Sequence, residues 1–171
     1  MLYFEDLQPG QRFLSAGYTL SEEEIISFAR QFDPQPFHTD PETARQTFFN
    51  GLAASGWHTS SLSMRLVAES ELGRAANGLI GMQIDKMRWP QPTRAGDTLR
   101  VEVEVLEKRR SGSQPGFGVV KVKWTTRNQD DAIAMQLECA IWLQCRSSLP
   151  TETQPAAAAR HERRAIQTQN G

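Results

Sequence analysis

Cysteine, histidine, basic excess and long apolar runs are all scarce in this sequence. Its 171 residues hold two cysteines, Cys139 and Cys145, too few for a disulfide scaffold. They lie six positions apart on one strand-like face, about 20 Å at ~3.3 Å per residue, so they do not bridge each other and are expected to be ordinary core residues. Nineteen Lys and Arg against twenty Asp and Glu leave a formal charge of −1, which argues against a nucleic-acid partner. No apolar run approaches the ~18 residues of a membrane helix, so no membrane span is expected. The opening Met1-Leu2-Tyr3-Phe4-Glu5-Asp6 lacks the basic region and apolar stretch of a signal peptide, and a cytoplasmic location is the expectation. The three histidines are His38, His58 and His161. A metal centre needs several ligands converging on one point, and His38 with Asp40 is too few; no metal is expected.

What is present suits one core. Hydrophobic residues make up 39% and charged residues 23%, and the length fits a single domain. Ser21-Glu22-Glu23-Glu24 reads as a helix start with a capping box. Ile25, Phe28, Ala29 and Phe32 follow at helical spacing, and Asp33-Pro34 ends the element. The next stretch, Asp33-Pro34-Gln35-Pro36-Phe37-His38-Thr39-Asp40-Pro41, carries three prolines in nine positions and reads as an irregular but stiff loop. A short helical piece is expected over 42–49.

From Leu52 the character changes. Charge is absent from His58 to Met64, where Ser60, Ser61 and Ser63 interleave with larger apolar residues, and a helix with so little polar surface is expected to be buried. After Asn77-Gly78 the period switches to two: Ile80, Met82 and Ile84; Val101, Val103 and Val105; Val120, Val122 and Trp124; then Met135, Leu137, Cys139, Ile141 and Leu143. Four strands in an antiparallel meander are expected. Residues 147–171 hold no aromatic and only Leu149 and Ile166 as larger aliphatics. They read as a disordered tail following a domain over 1–146.

Two constellations can carry chemistry. Asp33 and His38 are five residues apart, and such a pair can polarise a water if the chain folds back; fully extended it would hold them about 16 Å apart. The same residues also suit a solvated loop. Ser55-Gly56 falls where the second helix should begin. There a backbone N–H can meet a ligand oxygen, but a plain cap and a tight packing contact explain the same residues.

Taken together, Asp33-Pro34-Gln35-Pro36-Phe37-His38-Thr39-Asp40 followed by Gly51-Leu52-Ala53-Ala54-Ser55-Gly56 resembles the MaoC-like dehydratase family. Its (R)-specific enoyl-CoA hydratases carry D-x-N-P-x-H-x-D and, downstream, a helix opening with His-Gly. The opening DLQPGQRF and the connector Arg94-Ala95-Gly96-Asp97-Thr98-Leu99 are similar too, so the resemblance covers roughly 3–145. It implies an α+β fold, a single hot-dog domain with a long buried central helix wrapped by a curved antiparallel sheet. It further implies a hydro-lyase acting across the 2,3-bond of an enoyl-CoA or enoyl-ACP, with no cofactor and the acyl thioester as substrate. Asp33 and His38 match the family's catalytic pair, and Gly56 the glycine whose amide faces the thioester oxygen; Ser55 and Trp57 are candidates to contact substrate. Gln35 departs from the family's Asn, and Ser55 from its His. An acyl-CoA thioesterase and a non-catalytic acyl-thioester-binding protein are the alternatives. A homodimer or higher homo-oligomer is expected, because a single sheet leaves edges uncovered.

Overall fold

The computed structural model describes residues 1–146, so the expected tail over 147–171 lies outside the described residues. Helix α1, Glu22–Phe32, starts as its sequence dictates: the Ser21 hydroxyl accepts the Glu24 N–H at 3.2 Å, and the Glu24 carboxylate accepts the Ser21 N–H at 2.8 Å. Ile25 and Ala29 turn inward, while Phe32, at the end of the same stripe, stays exposed. Two short helices follow, α2 (Pro36–Thr39) and α3 (Pro41–Ala44), each with a proline at its first position, where the missing N–H has no intrahelical partner anyway. The longest helix, α4, spans Gly56–Glu69.

Six strands lie among the described residues: β1 (Arg12–Leu14), β2 (Tyr18–Thr19), β3 (Ile80–Arg88), β4 (Thr98–Arg110), β5 (Phe117–Arg127) and β6 (Ile133–Gln144). β4, β5 and β6 form the antiparallel meander that their alternation predicts. β3 does not lead it but pairs with the far side of β6, giving the order β1-β4-β5-β6-β3, with β2 beside the start of β4. The alternating valines of β4, with Val120 and Val122 of β5 and the inward residues of β6, form the core together with Leu62, Leu66 and Val67 of α4. Two hydroxyl pairs cross this core: Ser63 with Thr126 at 2.8 Å, and Thr59 with Thr93 at 3.0 Å.

The expectation of one long buried helix wrapped by a curved sheet is not met. The helices are 11, 4, 4 and 14 residues long, and the sheet is open, with β1 and β3 at its two edges. α4 ends at Ser70, and the chain reverses at Gly73, where a Cβ would sit 1.8 Å from the Ala68 carbonyl oxygen. Only one face of α4 is buried; Trp57 and Met64 face outward. The uncharged stretch in α4 is buried on one side only: Thr59, Leu62, Ser63, Leu66 and Val67 face the core, and Ser61 and Met64 face outward. Ser60 donates to the Gly56 carbonyl at 2.9 Å and Ser63 to the Thr59 carbonyl at 2.7 Å. β3 likewise alternates in sequence yet is largely exposed, with register shifts at Gly81/Gln83 and Ile84/Lys86.

Candidate active site

Asp33 is the C-cap of α1, its N–H bonded to the Ala29 carbonyl. The chain turns at once: Gln35 N–H donates to the Asp33 carbonyl at 2.8 Å and His38 N–H to the Gln35 carbonyl at 2.9 Å. This turn, stiffened by Pro34 and Pro36, folds the segment back on itself and brings His38 Nε2 to 3.4 Å from Asp33 Oδ2. His38 is buried between Phe37 and Phe49, with ring centroids at 4.5 and 6.0 Å.

The protonation pattern follows from the partners. His38 Nδ1 lies 2.7 Å from the Ala53 carbonyl oxygen. A carbonyl only accepts, so Nδ1 carries a proton, and Nε2 faces the Asp33 carboxylate with a lone pair in the neutral ring and an N–H in the imidazolium. With the ring neutral, two acceptors converge, and a water placed about 2.8 Å from each can donate one hydrogen to each. Burial acts on the Asp33 carboxyl to raise its pKa, but hydrogen bonds from Ser55 and Gln35, with His38 nearby, outweigh it and hold the group below the usual carboxylate range. Asp33 is thus an anion at neutral pH.

Ser55 is the N-cap of α4. Its hydroxyl accepts the Trp57 N–H at 3.2 Å and donates to Asp33 Oδ2 at 2.6 Å, and the residue is fully buried. Gly56 follows at the first helical position, where the N–H has no intrahelical acceptor. The glycine is required by packing: a Cβ there would meet the Trp89 indole at 2.9 Å. Trp57 is exposed, edge-on to Trp89 with centroids 5.7 Å apart. It helps line an apolar cleft of about 480 Å³ between α4 and the β3–β6–β5 side of the sheet, whose lining includes Met64, Met82, Ile84 and Cys139.

Three contributions escaped the sequence reading. Gln35 Nε2 donates to Asp33 Oδ1 at 2.7 Å, opposite the oxygen that Ser55 holds. The Arg94 guanidinium donates to the Phe49, Gly51 and Leu52 carbonyls, and the Thr93 carbonyl accepts the Ala54 N–H at 2.8 Å. Together they fasten the segment that presents the Ala53 carbonyl to His38. The stacking of Trp89 against Gly56 is the third. The Arg94, Thr93 and Trp89 contacts have no sequence signature, since each partner lies on another segment, whereas Gln35 sits two residues from Asp33 within the motif itself. His58 stacks on Phe28 at 4.4 Å, and its buried Nδ1 has no partner among the described residues. Burial lowers its pKa, with Glu24 opposing. Cys139 and Cys145 are free and buried, and burial, with Asp85 nearby, pushes the Cys139 thiol up to about 11. No cluster of metal-ligating side chains occurs among the described residues, and none of their helices is long and apolar enough to cross a membrane.

The MaoC like domain model matches residues 6–128, a stretch that includes Asp33, His38 and the start of α4. The chain belongs to the MaoC-like family. A crystal structure of the MaoC-like dehydratase from Rhodospirillum rubrum superposes with a TM-score of 0.81 at 42% identity, covering 86% of this chain and 99% of that one. The (R)-hydratase from A. caviae involved in PHA biosynthesis superposes with a TM-score of 0.65 at 25% identity, over 80% of this chain and 97% of its own. The uncharacterized protein YdeM of Bacillus subtilis is 32% identical over 133 residues, 77% of this MaoC-like chain and 92% of YdeM.

Proposed function

We propose that this MaoC-like protein is a hydratase/dehydratase that adds or removes water across the 2,3-bond of an enoyl or 3-hydroxyacyl thioester. The observation that carries the reading is the convergence of Asp33 Oδ2 and His38 Nε2 at 3.4 Å with His38 Nδ1 committed to a carbonyl. In hydration, the water held by the pair attacks C3 and keeps one hydrogen as the new hydroxyl. The other hydrogen passes to the pair, which returns a proton to C2 from the same face. Charge grows on the thioester oxygen between these events. The Gly56 N–H at the positive end of α4 is the group that meets it, an interaction worth about 3 kcal/mol. Family membership and the likeness to an (R)-hydratase support the same reaction. The carrier is coenzyme A or acyl carrier protein.

The working form in this proposal is a homodimer. What supports it is the open edge of β3, paired only with β6 among the described strands, beside the exposed Trp57, Met64, Met82 and Ile84. An unprotected edge flanked by apolar side chains invites a second copy of itself.

Incubation with crotonyl-CoA, following enoyl absorbance and free thiol separately, tests the reaction. Loss of absorbance without thiol supports a hydratase. Thiol release would make the protein a thioesterase, and neither signal would make it a binder of acyl thioesters.

A further inference from the structure

The two positions at which the chain departs from the family pattern, Gln35 and Ser55, are the two side chains that grip Asp33. Gln35 Nε2 holds Oδ1 at 2.7 Å, and Ser55 Oγ holds Oδ2 at 2.6 Å. They come from opposite sides, one from the turn after α1 and the other from the cap of α4. Neither contact is incidental to a stronger local duty. The Gln35 side chain makes no capping bond to α2, although the residue is its N-cap. The Ser55 hydroxyl, fully buried, has its proton directed at the carboxylate while its lone pair receives the Trp57 N–H.

We infer that Gln35 and Ser55 are a matched pair of positioning residues, each fixing one oxygen of the Asp33 carboxylate so that Oδ2 stays aligned with His38 Nε2. The inference rests on the hydratase reading and deepens it. The two oxygens of the anion are equivalent, so what rotation about the Cβ–Cγ bond would change is the tilt of the carboxylate plane, and with it the 3.4 Å approach of one oxygen to the imidazole. Two neutral donors stop that rotation without adding charge. They also favour the anion, because both hydrogen bonds are strongest to an ionised acceptor. The titratable group acting on Asp33 among the described residues is His38 of α2; α4 contributes the neutral Ser55 and the turn the neutral Gln35. Ser55 is therefore assigned to Asp33 and not to substrate.

The test is an NMR titration of the Asp33 carboxyl in the parent, Ser55→Ala, Ser55→Thr and Gln35→Leu, beside the pH profile of kcat/KM for crotonyl-CoA hydration. Ser55→Ala and Gln35→Leu are each expected to raise the Asp33 midpoint and move the acid limb of the profile to higher pH. Each should lower kcat about 10-fold with KM little changed, the size expected for losing one hydrogen bond to a charged group. Ser55→Thr, which keeps the hydroxyl, should restore both midpoint and limb. If Ser55→Ala does not fold, because it also loses the α4 cap, Gln35→Leu on an exposed residue decides alone. An unmoved Asp33 midpoint in Gln35→Leu, or in a folded Ser55→Ala, overturns the pairing, as does failure of a folded Ser55→Thr to restore it. Absence of hydration by the parent would defeat the proposed reaction, yet the carboxyl titration would still decide the pairing.

Discussion

Replacing Asp33 by Asn removes the anion while keeping the shape of the side chain, and the local geometry says what should follow. The amide oxygen can continue to accept from Gln35. The amide N–H₂ then faces the Ser55 hydroxyl and the lone pair on His38 Nε2, both of which can accept. The buried Ser55 hydroxyl proton loses its acceptor, which should cost about 1–3 kcal/mol, with a shift of roughly 2–4 °C in melting temperature per kcal/mol for a domain of this size. Catalysis should suffer far more. The water loses one of its two acceptors, and the step that takes its proton loses its base, an effect of about 10²–10⁴-fold. At ~1.36 kcal/mol per tenfold that is roughly 2.7–5.4 kcal/mol of lost transition-state stabilisation. Steady-state hydration of crotonyl-CoA followed by enoyl absorbance should therefore show kcat down at least about 100-fold with KM nearly unchanged. His38→Ala should behave alike, and the double variant should be scarcely worse than either single, since the two residues act as one unit. If both single variants turn over at near-parental rates while the parent demonstrably hydrates the substrate, the pair is not the catalytic centre.

Gly56→Ala should lower the melting temperature by the equivalent of about 1–3 kcal/mol, because its Cβ would press on the Trp89 indole; Gly56→Ala combined with Trp89→Ala should show a smaller penalty than the two changes summed. Light scattering should report about twice the 19.2 kDa chain mass, and Ile84→Lys on the exposed β3 edge should shift it toward monomer; a stable monomer of the parent at micromolar concentration refutes the dimer. Arg94→Ala should cost about 2 kcal/mol in denaturant melts by freeing three carbonyls of the segment before α4, and should lower kcat through the loosened Ala53 contact to His38. His58 has a folded pKa below its unfolded value of about 6.5, so it contributes stability that is present above that value and lost as pH falls through the window below it. His58→Phe should flatten the stability slope below about pH 6.5 in melts at stepped pH, and an unchanged slope refutes the assignment.

Local chemistry was legible in the sequence wherever a segment determines its own structure. The capping box at Ser21 and Glu24, the stop at Asp33-Pro34 and the alternation through β4, β5 and β6 all appear as read, because each depends on neighbours within a few residues. The motif around Asp33 and His38 was also sufficient to name the family. What the sequence by itself could not determine is which segments meet. It left Asp33 and His38 five residues apart with no proof that they touch; the turn through Gln35 closes that gap. It read α4 as buried, although only the face carrying Thr59, Leu62, Ser63, Leu66 and Val67 meets the core while Trp57 and Met64 face outward. It placed β3 at the head of a meander, although strand order is set by pairing across the chain, and β3 lies at the open edge beyond β6. The grip of Ser55 on Asp33 belongs to the same class, whereas Gln35 reaches it from two residues away. A hydrogen bond between residues 22 positions apart has no periodicity to betray it, and only tertiary packing decides that it forms.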